Sequence, residues 1–411
     1  MSAVQDLAPP SVAGRSDVII GLAAILRAAY EGEDLQELWA KLLERINADP
    51  HDAAALMDMS IIAQAAGDRD QGLKLQAAAL EISGVYRRPH GRGTGPKVTA
   101  FVTLGDFMAN TPIDFLLAGS DIELSLCFVD GGTSDLGHAP DYDVAFLAVG
   151  ESPENRPVLE NCEKLLAGRR VLNGAALRIA GLTRDGVGAR LADEPSLLAP
   201  MAVRVEREDL IRLSAGVRQP SDLLANAAWP LIARPIGSHA GQGMEKLDGP
   251  EAAAAYLAGR SESEFYVSPF VDYSGPDGLF RKQRIAFIGG RAFPSHYAVS
   301  SHWMVHYLSA EMAERPERRA EEAAWMADFD HDFAARHAKA FAALHQRFGL
   351  DYFGIDCAEL PDGRLLVFEA DVAMIVHDLD PVELFPYKKP AMARLFAAFQ
   401  AMLASAAQDA A

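Results

Sequence analysis

The sequence DYFGIDCAELPDGRLLVFEADVAMIVHDLD, residues 351–380, contains the pattern on which the interpretation of this chain depends. Two runs of apolar and β-branched residues flank a Pro-Asp-Gly sequence at residues 361–363, which is a strong signal for a tight turn. We therefore expect two antiparallel strands, joined by a turn that closes between Leu360 and Arg364.

Three carboxylates lie on this predicted hairpin. Asp356 would stand across from about Phe368, and a bulge at Gly363 would move it opposite Glu369. Glu369 and Asp371 are two residues apart and therefore share one face of their strand. Three carboxylates in an apolar strand pair are costly without a cation, and oxygen ligands favour a hard ion. We predict that Asp356, Glu369 and Asp371 hold Mg²⁺, although acids exposed to water fit the spacing equally well.

A glycine-rich loop follows an apolar strand in WPLIARPIGSHAGQGMEKL, residues 229–247. Glycines allow backbone amides to approach phosphate oxygens, and the strand before the loop carries a cation. Neither G-x-x-x-x-G-K-[ST] nor G-x-G-x-x-G occurs in the loop, and a mobile surface loop is the alternative interpretation. The residues predicted to bind phosphate are Arg234, Gly237, Ser238, Gly241, Gly243 and Lys246.

Three cations lead into the strand of FRKQRIAFIGGRAF, residues 280–293, which turns at a pair of glycines. Arg284 begins the apolar run and should point towards whatever the sheet faces. A guanidinium group binds a carboxylate or a phosphate with two hydrogen bonds, so we predict a functional role for Arg284. Arg281 and Lys282 fit that role and the role of protective charges on an edge strand equally well.

The N-terminal residues 1–90 are predicted to be helical, because apolar residues recur at helical spacing between Asp34 and Ile82. Residues 47–82 resemble one tetratricopeptide-type helical pair with a turn at Gly67. A single pair cannot bury its own apolar face. A helical cap packed on the next domain is therefore favoured over a peptide-binding array.

Residues 87–96 are basic and rich in Gly and Pro, which predicts a linker at residues 91–96. Strand-like and helix-like stretches then alternate, which indicates an α/β domain with a largely parallel sheet at residues 97–200 and a second α/β region at residues 201–411. The longest helix is expected near residues 316–348, where an apolar stripe recurs. The predicted strands are residues 97–104, 122–129, 144–149, 171–173, 231–235, 265–270, 284–288, 352–360 and 365–370.

Composition and charge narrow the class of protein. Half of the 411 residues are apolar, and 57 acidic against 38 basic residues give a formal charge of −19, which repels nucleic acid. The three cysteines lie far apart, so neither a disulfide framework nor a cysteine-ligated zinc site is expected. The run at residues 18–29 is too short to span a membrane, and residues 1–16 lack the pattern of a signal peptide. We expect a cytoplasmic protein without nucleic-acid or membrane partners.

Taken in order, these elements resemble the ATP-grasp superfamily, and within it the group of glutathione synthetase, D-alanine:D-alanine ligase and glutamate-adding ligases. In that family a basic strand residue precedes a glycine-rich loop, as in LIARPIGSHAGQGM, and an adenine-binding hinge follows, as in FYVSPFVD at residues 265–272. The strand arginine of the family matches Arg284, and its acid and E-x-N pair match Asp356, Glu369 and Asp371. The resemblance covers about residues 97–403 and not the N-terminal helices.

The resemblance implies an α/β protein with an α+β grasp: a small α/β pre-ATP-grasp domain after the helical region, and a C-terminal ATP-grasp domain with antiparallel sheets. It implies ATP and Mg²⁺ as cofactors. It also implies an ATP-dependent carboxylate-amine ligase that joins amino-acid or peptide substrates through an acyl phosphate, with Arg234 and Arg284 acting in catalysis. The residues that would contact adenine are Ser268, Pro269, Phe270 and Val271. The family often lines its acceptor pocket at the positions of His296, Tyr297, His302 and His306, but a structural role fits these residues equally well.

Three positions depart from the family pattern. Arg234 stands where a lysine is usual, Asp371 replaces the usual asparagine, and Lys282 stands where an acid commonly precedes the strand arginine. Two other functions are therefore left open: a non-catalytic nucleotide-binding protein whose helices bind a partner, and a small-molecule kinase of grasp architecture. The sequence is also compatible with a homodimer.

Overall fold

The computed structural model describes residues 17–238 and 241–409. The prediction about a signal peptide concerns residues 1–16, which lie outside the described residues, as do positions 239 and 240 of the glycine-rich loop.

The described residues form two compact units. The first comprises those within Met1–Ala180, Leu350–Phe353 and Asp371–Ala411, and the second comprises those within Gly181–Gly349 and Gly354–Ala370. The chain therefore enters and leaves the second unit twice.

Helices and strands alternate along most of the described chain. The helices are α1 Leu22–Tyr30, α2 Leu35–Ala48, α3 Ala53–Ala65, α4 Arg69–Ile82, α5 Ile113–Leu116, α6 Arg156–Leu165, α7 Ala176–Ile179, α8 Arg184–Leu191, α9 Arg207–Ser214, α10 Pro250–Ala258, α11 Pro316–Ala327, α12 Phe333–Arg336, α13 Ala338–Phe348 and α14 Lys388–Gln408. The strands are β1 Val85–Pro89, β2 Lys97–Val102, β3 Glu123–Phe128, β4 Val144–Leu147, β5 Val171–Leu172, β6 Leu197–Leu198, β7 Val203–Glu206, β8 Leu231–Pro235, β9 Glu245–Leu247, β10 Glu264–Pro269, β11 Phe280–Ile288, β12 Arg291–Ser300, β13 Tyr352–Glu359 and β14 Leu365–Asp371. Short 3-10 helices occupy Pro220–Asp222 and Tyr307–Ser309.

The four N-terminal helices form a layer on the first sheet. Helices α2, α3 and α4 each begin after an aspartate whose carboxylate accepts a hydrogen bond from a first-turn backbone amide. Helix α3 contacts α1, α2 and α4, and its Met57 packs in a cluster with Tyr86 of β1 and Leu126 of β3. Because its apolar surface is covered in this way, the arrangement is that of a cap.

The first sheet has the order β1-β3-β2-β4-β5, in which β2 to β5 pair in parallel and β1 pairs antiparallel with β3. The largely parallel sheet predicted for this region is therefore confirmed. Arg87, Arg88 and Pro89, at the start of the basic stretch that precedes the linker predicted at residues 91–96, belong to β1. Tyr86 is fully buried and anchors this strand, so its basic neighbours are carried along the sheet edge.

A four-stranded sheet in the second unit has the order β7-β10-β8-β9, with antiparallel pairing throughout. Helices α9 and α10 supply residues to its core, in which Leu210, Leu257 and Phe265 are buried together. In the register of the sheet, Arg234 lies opposite Tyr266, and Lys246 lies opposite Ile232.

The remaining sheet has the order β12-β11-β13-β14-β6. The predicted turn between β13 and β14 is confirmed: the backbone N–H of Leu360 donates to the carbonyl of Arg364 at 2.9 Å, and Gly363 has a φ of 85° that favours glycine. Strand β12 was not predicted from the sequence. It forms a long antiparallel hairpin with β11.

The single long helix predicted at residues 316–348 was wrong, because the structure divides this stretch into α11, α12 and α13. The break falls at residues 328–332, DFDHD, where three aspartates compete for backbone hydrogen bonds and favour a turn. The predicted α/β class, with a largely parallel first sheet, is confirmed in the described residues. Antiparallel pairs predominate in the later sheets as predicted, but β6 pairs in parallel with β14. Among these residues, no helix combines the length and the apolar character that a membrane span requires.

Candidate functional site

The cationic side chains of strand β11 lie on both faces of its sheet. Lys282 and Arg284 are two residues apart, and both reach the carboxylate of Asp356 on the neighbouring strand β13. The Lys282 Nζ lies 2.9 Å from Asp356 Oδ2, and the Arg284 Nε and Nη2 lie 2.7 Å and 3.0 Å from Oδ1 and Oδ2. These three side chains, the Asp356 clamp, therefore place two cations on one carboxylate.

The Asp356 clamp is buried and fully charged. Asp356 is only 2% exposed, while the side chains of Lys282 and Arg284 are 16% and 17% exposed. Burial by itself would raise the pKa of Asp356, but the charges of Arg284 and Lys282 outweigh it and hold this pKa well below its ordinary value. The clamp therefore carries one surplus positive charge.

Arg281 lies on the opposite face of β11 and has the opposite balance of charge. Its guanidinium group contacts two carboxylates: Nη2 lies 2.7 Å from Asp277 Oδ2, and Nε lies 2.5 Å from Glu321 Oε1. The Tyr297 hydroxyl donates to the same Glu321 oxygen at 2.5 Å. Arg281 is thus held in a network that links β11, β12 and α11, and this contact favours a structural role for it.

Arg234 is buried on β8 and bonds to the start of the glycine-rich loop. Its Nε donates to Ser238 Oγ at 3.2 Å, and its Nη2 donates to the Ser238 carbonyl. Burial lowers the pKa of Arg234 to about 10, with a further contribution from the nearby charge of Arg184, so the side chain stays charged at neutral pH. The structure therefore brings together Arg234 and Ser238, and their binding of phosphate stays a prediction.

The loop glycines adopt backbone conformations that favour glycine. Gly237, Gly241 and Gly243 have φ values of 76°, 74° and 66°. A Cβ atom at Gly243 would also lie 2.8 Å from Pro235 Cδ, so a side chain does not fit there. Described residues of the loop are thus folded closely against the end of β8.

Lys246 and Phe270, predicted for different parts of the site, lie together. The Lys246 ammonium is 4.8 Å from the centre of the Phe270 ring and 2.9 Å from Asp248 Oδ1. Ser268 and Pro269 of β10 pair with β8, and the Phe270 backbone N–H donates to the Pro230 carbonyl at 3.0 Å.

Arg184 was not predicted to be a site residue. This residue is the first of α8, whose N-cap Thr183 accepts a hydrogen bond from the Gly186 amide. Arg184 forms an ion pair with Glu369 and donates to the Phe368 carbonyl at 3.4 Å. The Thr-Arg-Asp sequence at residues 183–185 is a local signal for the start of a helix. It does not indicate that Arg184 contacts β14, which lies far away in the sequence.

These side chains act within one electrostatic field. The charge of Glu369 raises the pKa of Arg234, opposing Arg184. Burial, Lys282 and Arg284 together lower the pKa of His306, against the opposing charges of Asp356 and Glu369. Four cations and two carboxylates leave two surplus positive charges, in a chain whose formal charge is −19. Such a concentration of positive charge binds anions. The members of this cationic cluster are Arg184, Arg234, Lys282, Arg284, Asp356 and Glu369.

The three carboxylates predicted to hold a metal differ in their surroundings. Both oxygens of Asp356 accept hydrogen bonds from cations, Glu369 pairs with Arg184, and Asp371 Oδ1 accepts from the Ala373 amide at 3.0 Å. In the part of the chain that the structure describes, no group of three or more His, Cys, Asp or Glu residues is placed to hold a metal ion. Asp356 does not fit a metal ligand in this arrangement, and the predicted site as a whole stays a prediction.

No family model matches this sequence, and no curated protein is significantly similar to it. Several solved structures are similar. D-alanine–D-alanine ligase from Bacillus anthracis is 13% identical, with a TM-score of 0.45 over 77% of this chain and 98% of the ligase. A RimK domain protein, ATP-grasp, from Sphaerobacter thermophilus is 14% identical, with a TM-score of 0.39 over 74% of this chain and 99% of its own. VanG D-Ala:D-Ser ligase from Enterococcus faecalis is 12% identical, with a TM-score of 0.45 over 75% of this chain and 100% of its own. Solved structures of the ATP-grasp kind that the sequence resembles are thus among those similar to this chain, and their substrates are properties of those proteins.

Proposed function

We propose that this chain is an ATP-dependent carboxylate-amine ligase, which forms an amide through an acyl phosphate and releases ADP. One observation carries the proposal: the cationic cluster combines cations from α8, β8 and β11 in the second unit. Transfer of a phosphoryl group depends mainly on positioning and on neutralising charge, and fixed cations do both.

Different residues bind the phosphates, the adenine and the reacting group. Arg234 and the loop from Gly237 to Gly243 hold the phosphates, and the backbone of residues 268–271 contacts adenine. Arg284, oriented by Asp356, stabilises the acyl phosphate or the substrate carboxylate. A guanidinium that is already held by a buried carboxylate does not need to reorganise as negative charge develops, so it stabilises that charge effectively.

Mg²⁺ would supply further neutralisation of the phosphate oxygens when it is bound with the nucleotide. Glu369 and Asp371 stay the proposed ligands. Glu369 carries one cation where Asp356 carries two, and its side chain is 25% exposed against 2%. Asp356 is left out because its oxygens are already occupied by cations.

The proposal is tested by incubating the protein with ATP, Mg²⁺, mixtures of amino acids or peptides, and hydroxylamine. We expect release of phosphate and formation of a hydroxamate, since hydroxylamine traps an acyl phosphate. Glu369→Gln should abolish both while leaving the melting temperature near that of the wild type. If no phosphate and no hydroxamate form with any substrate, the result counts against a ligase. A stable phosphorylated product in the mass spectrum would identify a kinase.

A second function has support from the Asp356 clamp. A carboxylate that is neutralised twice is suited to hold cations in place, and this is compatible with nucleotide binding without turnover. The N-terminal helices would then recruit a protein partner. Calorimetry with ATP separates the two functions, because tight binding without hydrolysis under every substrate condition supports the binding protein.

A further inference from the structure

Lys282 is the residue whose role the ligase proposal leaves open. It is not needed to neutralise Asp356, because Arg284 already binds both carboxylate oxygens, at 2.7 Å and 3.0 Å. Yet its ammonium lies 2.9 Å from Oδ2, with a side chain that is only 16% exposed. A second, partly desolvated cation on an already paired carboxylate requires an explanation other than stability.

The place taken by this ammonium is the place that a metal ion would need. A metal ligand must offer an oxygen with a lone pair that is open towards the cation. The Oδ1 atom of Asp356 accepts a hydrogen bond from the Arg284 Nε, and its Oδ2 atom accepts hydrogen bonds from the Arg284 Nη2 and the Lys282 Nζ. A divalent ion at Oδ2 would meet two positive charges within contact distance of the same atom, and Coulomb repulsion opposes this.

The arrangement of β11 makes the placement of Lys282 specific. Residues two apart in a strand share a face of the sheet, so Lys282 and Arg284 lie on the face of Asp356, while Arg281, which directly precedes Lys282, lies on the face of Asp277 and Glu321. On one face, Arg281 pairs with two carboxylates. On the other face, Lys282 and Arg284 share the single carboxylate of Asp356. Positive charge is in surplus only on the face of Asp356.

We propose that Lys282 is a built-in cation that takes the place of a metal ion on Asp356. Asp356 then serves as a counter-ion that positions Lys282 and Arg284, and the anionic group of a ligand binds at a site whose charge comes from side chains. This deepens the proposed function and rests on it in one respect, namely that the anion is a nucleotide or an acyl phosphate. Asp356 acts here as a positioning residue.

The first measurement needs no nucleotide. Mn²⁺ is titrated into the full chain, and the free ion is followed by electron paramagnetic resonance. We expect Asp356→Asn to bind as much Mn²⁺ as the wild type, because Asp356 is no ligand. We expect Lys282→Met to gain an Mn²⁺ site about tenfold or more tighter than any wild-type binding at this position, and the double variant Lys282→Met/Asp356→Asn to lose it.

Two controls separate a local effect from loss of charge or of fold. Lys246→Met removes a lysine that is also paired with one aspartate in the second unit, and it should gain no site. Lys282→Arg keeps the charge and should behave as the wild type. A wild type that loses an Mn²⁺ when Asp356 is changed, or a folded Lys282→Met that gains none, overturns the proposal.

The second measurement adds ATP, with EDTA or with Mn²⁺, in a calorimeter. We expect the wild type to bind ATP measurably in EDTA, and Lys282→Met to weaken that binding about tenfold while changing binding of Mn²⁺-ATP less. Equal weakening in both conditions contradicts the exchange of lysine for metal. Absence of ATP binding under either condition defeats the proposed function, whereas the titration without nucleotide still decides the role of Lys282.

Discussion

Asp58 of α3 and Asp356 of β13 are both buried, at 0% and 2% exposure, yet their carboxyl groups respond to burial in opposite ways. Burial raises the pKa of Asp58 to about 7. The hydrogen bonds from the backbone amides of Ile20 and Gly21, at 2.9 Å and 3.1 Å, and the charges of Arg45 and Arg88 oppose this rise only in part. At Asp356 the positive charges of Arg284 and Lys282 outweigh the same desolvation, and the pKa of Asp356 falls well below its ordinary value.

The difference shows what a buried carboxyl group can indicate. The dipoles of two amides do not compensate for the loss of water around a charge, whereas contact with cations does. Asp58 binds the amides that precede α1 and therefore stabilises the fold. Asp356 organises cations that exceed it in charge. Burial alone is thus no sign of a site, and an imbalance of formal charge around the buried group is the better one.

The largest expected effect comes from removing the carboxylate of the clamp. Asp356→Ala leaves Lys282 and Arg284 without their counter-ion in a mostly buried place, and we expect the free energy of unfolding to fall by roughly 3–5 kcal/mol. Denaturant titration measures this. Asp362→Asn on the adjacent turn is the control and should change little. A loss below about 1 kcal/mol would show that water reaches these cations, which would weaken the contrast with Asp58.

The second effect is a dependence of stability on pH, with opposite signs for the two aspartates. Because the pKa of Asp58 is about 7 in the folded chain against 3.8, folding retains a proton that the unfolded chain releases. Its contribution to stability therefore falls as pH rises from about 4 to 7, by at most roughly 4 kcal/mol. Asp356 has a lowered pKa, so its contribution is present above about 4 and is lost as pH falls further.

This dependence is measured by denaturant titrations between pH 3 and pH 8. Asp58→Asn should remove the decline between pH 4 and pH 7 and leave the loss at lower pH in place. A variant with an unchanged profile would show that Asp58 is ionised in the folded chain, and the two aspartates would then resemble each other.

The smallest effect concerns an aspartate that combines both kinds of partner. Asp52 accepts from the Ala55 amide at 3.0 Å and from Arg45 Nε and Nη2 at 2.8 Å and 2.9 Å, and its side chain is 14% exposed. Asp52→Ala removes a helix cap and one ion pair, so we expect a loss of about 1–2 kcal/mol in the free energy of unfolding. Asp52→Asn retains the cap and should recover about half of it. Equal losses in both variants would assign the effect to the ion pair.

Local patterns allowed much of the fold to be predicted. The turn at residues 361–363 and strand β8 depend on residues that are neighbours in sequence. Predictions failed where a partner far away in sequence decided the outcome. Strand β1 exists because Tyr86 is buried under the N-terminal helices, in spite of the basic residues that follow it.

In the candidate site as well, local features could be predicted from the sequence, whereas contacts between distant residues could not. The sequence predicted a functional role for Arg284 and left the role of Lys282 open, but it paired neither with Asp356. Arg184 carried no signal that pointed to Glu369. The shared partner of Lys282 and Arg284 lies 74 and 72 residues away, and the carbonyl that Arg184 contacts lies 184 residues away.

Spacing and the conformations that glycine and proline favour were enough to predict the turn at residues 361–363, strand β8 and the residue types near the site. Which charges meet there depends on the tertiary fold. A carboxylate is a candidate metal ligand or a counter-ion according to the cations that surround it, and those come from strands and helices that only folding brings together. For Asp356, contact with two cations made the difference.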